Sequence, residues 1–589
     1  QWVPKKFEGS YGNAGYYLKF ADDSNNTAAT LGKDSSGNSN NWTPTNHSVS
    51  GTATDSFEDT PTNNFPIINW NQTGSVTDDR IHDGALSIDW QNSHNNKSTV
   101  VTHGMSSGKW YFEVTNRTDA SGQGALNLGM YPDSYMGGKI ASTDSTWPGG
   151  YSGAGIGFNG ADQYYINGSN QGTYGGTWAE NDIIGFAVDV DAGKIALSKN
   201  GNWADGSGNY DEATVNAQKD LQGTGPYFFA IGDSSGSDDP KVTINFGQRA
   251  FSHTIPTGYK KLCSKNLPEP TIPKPTDHVN TVLYTGNATS RNIVSGFSTD
   301  MVWIKRRSGD ETQVIANRVI GADAFLSPDH TNDENTASNC VTAFNSDGVT
   351  VGTQGIVNDN TETFFSCHWN ESATAGFDIV SYSGNGSAGN TFSHSLGVTP
   401  DLIIIKNRST DGPHWFTWNS QFASTTWIPL DAASTSNSSV TDTFNSTAPT
   451  SSVVTLGNNN KVNASGANYI AYLWSSVEGF SKFGKYEGNG NDDGPFVYTG
   501  FEPAIMIAKN TATENYWRMW NNKVQPYNPL SYGTYPNTSD PEDTAANWTV
   551  DWLSNGFKVR NDDGEMNGDG QDIIYWAWAK SPFKYSNAR

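Results

Sequence analysis

Cysteine is almost missing from this chain, with 3 residues in 589, at Cys263, Cys340 and Cys367. An odd and sparse set does not make the framework of a disulfide-stapled secreted fold, so free buried thiols and folding in a reducing cytoplasm are expected. Long apolar runs are missing as well. The longest aliphatic stretches are far short of the ~20 residues that cross a bilayer as a helix, and no basic n-region with an apolar h-region opens the chain, so no membrane insertion is expected. Basic charge is scarce: 36 Lys and Arg stand against 60 Asp and Glu, a net charge of −24. Such a balance repels a phosphate backbone and argues against nucleic acid as a partner. Long amphipathic helix patterns, heptads and zinc-type Cys/His spacings are also lacking. The first residue is Gln rather than Met, so this start is not expected to be the translation start, and a further segment could precede it.

What is present is glycine (62 residues) and aromatic side chains (12%, including 20 Trp). The length implies about three to five domains. Short alternating stretches bounded by Gly, Asn, Asp and Ser recur, among them "KWYFEVT" (109–115), "IIGFAVDVD" (183–191), "KIALSKNG" (194–201), "YFFAIG" (227–232) and "KVTINFG" (241–247). This pattern predicts an all-β protein of sandwiches or barrels. A run rich in proline, "SKNLPEPTIPKPTD" (264–277), reads as a semi-rigid interdomain linker.

After that linker the chain repeats itself. "DMVWIKRRS" (300–308), "DLIIIKNR" (401–408) and "PAIMIAKNT" (503–511) place Lys305, Lys406 and Lys509 at spacings of 101 and 103 residues. Each is preceded by "YTGN" (284–287), "YSGNG" (382–386) or "YEGNG" (486–490), and each unit closes on a strand ending in Trp369, Trp474 or Trp578. Three β-sandwich-like repeats follow, at 278–377, 378–481 and 482–589. Ile304, Ile405 and Ile507 are expected to occupy equivalent places, as are the three closing tryptophans. The "LIIIK" segment reads as a central strand covered on both faces, with Lys406 and Arg408 emerging where it reaches solvent. Units two and three carry aromatic pairs, Trp415 with Trp418 and Trp517 with Trp520, where unit one has "TQVIANR" (312–318). If those rings are core, Val314 and Ile315 should compensate in unit one.

Residues 80–263 resemble a SPRY domain, a lectin-like β-sandwich, through "SGKWYFEV" (107–114), "GAGIGFNG" (153–160), "NDIIGFAVDVDAGKIALSKNGNW" (181–203), "GPYFFAIG" (225–232) and "VTINFGQRAF" (242–251). Within residues 1–79, "YYLKFADDSNNTAATLGKDSSGNSNNWTPTN" (16–46) and "DSFEDTPTNNF" (55–65) are similar to a segment of tail fibre proteins of marine tailed phages, and the C-terminal repeats are similar to units found beside it. The resemblance implies a non-enzymatic virion protein on a tail or capsid appendage, folded in the host cytoplasm. Its implied partners are other virion proteins, further copies in a trimer, and a host-surface glycan or protein. A capsid-decorating or cell-surface lectin-like adhesin and a polysaccharide depolymerase are the competing readings.

SPRY domains recognise partners through variable loops, so candidate ligand contacts come from the residues themselves. Trp147, Tyr151, Tyr164, Tyr165, Trp178 and Trp203 lie on Gly/Asn-rich stretches where ring faces suit sugar stacking, and Trp415 and Trp517 are the candidates in the repeats. Sandwich-edge packing is the competing role for the first six, and core packing for the repeat tryptophans. "GDSSG" (232–236) matches the nucleophile pattern around Ser234, yet a strand, not a helix, is expected next, so a hairpin loop is the expectation. "NDDGEMNGDGQD" (561–572) offers Asp563, Asp569 and Asp572 as a weak Ca²⁺ set without EF-hand spacing, against a solvated acidic turn. No cofactor is expected.

Overall fold

The computed structural model describes residues 7–50, 54–60, 62–72, 80–90, 97–119, 122–136, 147–235, 238–544 and 546–586. The fold is all-β, in two compact units, one of the described residues up to Pro268 and one of those from Glu269 on.

In the first unit the alternating segments pair into two facing sheets. One runs in the order Ile81–His82, Ser87–Asp89, Lys241–Asn245, Lys109–Asn116, Ile183–Asp189, Lys194–Lys199, Asn202–Ala204, Tyr210–Glu212. The other runs Lys97–Val100, Tyr227–Asp233, Leu126–Pro132, Ile156–Asn159, Tyr164–Ile166, Ser169–Asn170. Period-two alternation sends Phe112, Val114, Phe186 and Val188 from one sheet against Leu128, Met130, Phe229 and Ile231 from the other. Phe112 and Phe229 meet edge to face at 4.8 Å. The sandwich begins earlier in the chain than position 80, because Phe65 and Ile68 are in its core and Thr102 N donates to Ile67 O. Nor is 264–277 a bare spacer. Ser264 N donates to Asn64 O in the first unit, whereas Ile272 is buried in the core of the second.

The second unit holds three corresponding sheets. Their orders are Val279–Thr285, Thr363–Trp369, Met301–Arg306, Val314–Asn317; then Phe377–Ser383, Asn468–Trp474, Leu402–Asn407, Phe416–Asn419 with Ile428–Pro429; then Ser481–Glu487, Asp572–Pro582, Phe501–Asn510, Arg518–Asn521. Trp369, Trp474 and Trp578 stand opposite Met301, Leu402 and Ile505 in the three registers. They converge, with Trp578 5.4 Å from Trp369 and 6.1 Å from Trp474. The "LIIIK" strand is buried on both faces. Leu402 and Ile404 enter a core shared by all three repeats, and Ile403 and Ile405 enter a core of the second repeat alone. Each such side chain contributes about 1.5–3 kcal/mol by burial.

Backbone hydrogen bonds close the three repeats on one another. Glu334 N of the first donates to Arg408 O of the second (3.2 Å), Ser436 N of the second to Thr511 O of the third (3.0 Å), and Glu542 N of the third to Arg307 O of the first (3.0 Å). This closure overturns the expectation that the strand-end lysine reaches solvent. Lys305, Lys406 and Lys509 are all fully buried, because the neighbouring repeat covers the strand end. Lys305 Nζ donates to Thr538 O (3.0 Å), Lys406 Nζ to Thr331 O and Pro413 O (both 2.8 Å), and Lys509 Nζ to Asn510 O (2.7 Å) and Thr513 O (3.0 Å). Arg408 is half-buried and pairs with Glu334 at 2.6 Å. One equivalence also shifts by a residue. The register aligns Ile304 and Ile405 with Ala508, and Ile507 with Trp303 and Ile404, so Ile507 faces the shared core.

Candidate functional site

Three of the aromatic candidates, Trp147, Tyr151 and Tyr165, come together on the outer face of the smaller sheet of the sandwich. Across four adjacent strands Ala230, Gly129, Gly157 and Tyr165 stand in one cross-strand row. The two glycines, with Gly232 beside them, leave a trough. A Cβ on Gly129 would lie 2.9 Å from Pro148 Cβ, one on Gly157 1.8 Å from Pro148 O, and one on Gly232 2.7 Å from Trp147 Cβ. Mid-strand glycines of this kind mark a close backbone approach. Pro148 fills the trough and carries Trp147 and Tyr151 with it. Trp147 then meets Tyr165 edge to face at 4.8 Å.

The hairpin Tyr164–Asn170 supports the loop from the side. Gly168 N donates to Gly149 O at 2.8 Å and Asn167 N to Gly155 O at 3.2 Å. Asn170 Nδ2 donates to the Tyr165 hydroxyl (3.2 Å), which donates in turn to Gln163 Oε1 (2.7 Å). Strand alternation turns Tyr164 the other way, onto the sandwich core, where Lys219 Nζ lies 4.7 Å from its ring centroid. Tyr151 is 47% exposed, and Trp147 and Tyr165 are half-buried. The result is a fixed aromatic step edged by amide and hydroxyl groups.

The other candidates fall elsewhere. Trp203 is buried on the outer face of the larger sheet beside Tyr111, under Phe251, Ile255 and Tyr259. Trp178 is a core residue whose Nε1 donates to Tyr210 Oη at 3.1 Å. Trp415 and Trp517 have no exposed surface. Their indole Nε1 atoms cross to the preceding repeat, donating to Ser327 O and Pro429 O, both at 2.9 Å. Trp418 and Trp520 belong to the cores of their own repeats. In the first repeat the compensation is not made by Val314 and Ile315 alone. Gln313 takes the place of Trp415 and sends Nε2 to Tyr535 O (2.8 Å), Pro536 O (3.0 Å) and Thr538 O (2.8 Å), while Trp303 Nε1 donates to Gln313 Oε1 at 2.9 Å. The missing indole is supplied by the adjacent strand.

The chemical motifs resolve into structural roles. Ser234 lies on a loop that passes from one sheet of the sandwich to the other, not on a hairpin, and its Oγ donates to Ala125 O at 3.4 Å. Its neighbour Asp233 is fully buried, which pushes its carboxyl up to about 7. Gly236 of the same motif lies outside the described residues. In the acidic turn, Asp563 caps the short helix Gly564–Asn567 through Glu565 N (2.8 Å), and Asp572 pairs with Lys485 Nζ (2.7 Å). Asp569 is held on the backbone by a bridge to Gly488. Among the described residues no group of three His, Cys, Asp or Glu side chains is placed to hold a metal ion, so the Ca²⁺ set is not assembled.

No curated protein matches this chain. Among solved structures, the SPRY domain of human HERC1 is similar at 15% identity and a TM-score of 0.21, covering 31% of this chain and 99% of that one. A second human SPRY domain matches at 17% identity and a TM-score of 0.21, over 29% of this chain and 97% of that one. Stonustoxin matches at 12% identity and a TM-score of 0.21, over 31% of this chain and 27% of its own. Residues 274–582, the part built of three repeats, match the model of a family described as a domain of unknown function, DUF7483, and the chain belongs to that family.

Proposed function

We propose that this is a non-enzymatic structural protein of a phage virion, a tail fibre or related appendage, whose sandwich unit recognises a host-surface glycan or protein while the repeat unit supports it. The observation that carries the recognition part is the aromatic step of Trp147, Tyr151 and Tyr165, held in place by Pro148 in the glycine trough rather than left on a loose loop. Rigid aromatic anchors lose little conformational freedom on binding. Support for the virion part comes from the sequence, in the resemblance of 16–46, 55–65 and the repeats to phage tail fibre proteins. Copies of the chain are expected to associate as a trimer, so that several such steps act together and raise apparent affinity by about 10²–10⁴.

Immunogold electron microscopy of intact particles, with antibody against the repeat unit, tests the assignment. Label on tail appendages is the expected result. Label over the capsid would favour the decorating adhesin, and particles without label would overturn the virion reading. A stable monomer at micromolar concentration in a solution mass measurement would count against the trimer.

A further inference from the structure

We infer that the ligand of the aromatic step is an uncharged saccharide, an inference that rests on the binding role proposed above and adds the chemical class. The two segments that build the step are "WPGGYSGAG" (147–155) and "QYYINGSNQG" (163–172), and neither contains Asp, Glu, Lys, Arg or His. Both segments that form the step are thus free of charge in a chain whose net charge is −24.

Among the described residues, the charged groups flanking the second segment are turned away or already occupied. Asp162 directs Oδ1 into three backbone N–H groups, those of Tyr174, Gly175 and Gly176, at 3.0, 2.9 and 2.6 Å. Lys219 lies over the ring of Tyr164, and that ring faces the sandwich core while Tyr165 faces the step. An acidic polysaccharide, a phosphate or a charged peptide would bring to this surface a charge that no side chain of the two segments answers, and desolvating an unpaired charge is costly. A neutral sugar brings a C–H face and hydroxyls. The exposed ring of Tyr151 supplies an apolar platform for the face. The amide edges of Gln163, Asn167, Asn170 and Gln171 and the hydroxyls of Ser152 and Ser169 supply both donors and acceptors for the hydroxyls. The hydrogen-bonded order Asn170 to Tyr165 to Gln163 fixes part of that edge before any ligand arrives.

The test is retention of the full chain on a printed array of neutral oligosaccharides and of oligosaccharides bearing uronate or sialate, at low and high salt. Binding to neutral members, unchanged by salt, is expected, with a loss of tenfold or more in Tyr151→Ala. Because Tyr151 is 47% exposed on the outer face of the sheet, that variant should melt close to the wild type. Asn170→Asp, which places a charge at the edge, should also weaken neutral binding and provides a second readout. Salt-sensitive retention of acidic members, or unaltered binding by both variants, would overturn the inference while leaving a binding role intact. Binding to host cells without retention of any saccharide would also overturn it, in favour of a protein receptor. Failure of the chain to bind host cells at all would instead remove the reading on which it rests.

Discussion

At the scale of single residues the three seam lysines are the most consequential. Burial pushes each amine down, to about 8 for Lys305, Lys406 and Lys509, although carboxylates pull the other way: Asp329, Asp540, Asp310 and Glu311 around the first, Asp431, Asp411 and Asp333 around the second, Glu565 and Glu514 around the third. Among the described residues none of the three makes a direct ion pair; each donates to backbone carbonyls instead. The unfolded lysine titrates near 10.4. Between about pH 8 and that value the unfolded chain therefore binds more protons than the folded one, and stability rises with pH, by up to ~1.4 kcal/mol per pH unit for each lysine. Above about pH 10 the buried tyrosines, held neutral in the fold by burial, reverse the trend as they ionise in the unfolded chain. Denaturation midpoints of the wild type should climb from pH 7.5 to about 8.5. Above that the buried thiols of Cys263, Cys340 and Cys367, held protonated in the fold by burial, oppose the lysines as they ionise in the unfolded chain. Lys→Met at any one of the three lysine positions should remove roughly a third of the climb. An identical slope in the variants would show that other groups set it.

At the scale of elements the recurring Tyr-x-Gly-Asn segment is a latch. Tyr284, Tyr382 and Tyr486 donate their hydroxyls to Val357 O, Val462 O and Met566 O, each one residue before a buried asparagine that ends a short helix. Those asparagines, Asn358, Asn463 and Asn567, accept from the backbone N–H of Asn287, Asn385 and Asn489. The intervening glycine lets the two chains touch, since a Cβ on Gly384 would stand 2.2 Å from Ala464 O. Gly384→Ala should therefore cost about 1–3 kcal/mol by overpacking. In Asn463→Ala the buried carbonyl of Gly457 loses its donor, at about 1–3 kcal/mol, while the exposed Ser387 carbonyl keeps the N–H of Asn390. Urea midpoints of the two variants check both values, and wild-type midpoints would show that the latch closes without these contacts.

At the scale of the repeat unit, the seam between the first and third repeats joins segments more than 200 residues apart, with no short connection to hold them. Arg307 pairs with Glu542 in bidentate fashion, at 2.7 and 3.1 Å, and Glu311 N donates to Ser539 O at 3.0 Å. The corresponding pair between the first and second repeats, Arg408 with Glu334, joins segments closer in the chain. Loop closure is entropically dearer for longer separations, so the far seam is the one expected to open first when weakened. A double-mutant cycle on Arg307→Ala and Glu542→Gln should return a coupling of about 1–3 kcal/mol. Amide exchange should rise at 307–313 and 535–542 in either single variant, and faster exchange at the Arg408 seam alone would refute this ordering.

The sequence by itself determined the strands, their all-β class and the hundred-residue period, because alternation and turn chemistry are local and act within a few residues. It also placed the rings of the aromatic step, since Trp147, Tyr151 and Tyr165 lie on two short Gly/Asn-rich segments, whereas the trough that Gly129 and Gly157 leave for Pro148 exists only once their strands pair. Only the tertiary structure decided which rings remain exposed. Trp203, Trp415 and Trp517 sit in stretches as polar as the one around Tyr151, yet they are buried because a segment or repeat distant in the chain covers them. The same holds for the lysines. A strand end reads as an exit to solvent until a neighbouring repeat closes over it, and the position of that neighbour depends on how whole sheets pack. Packing among sheets pairs residues far apart in sequence, so no periodicity along the chain encodes it.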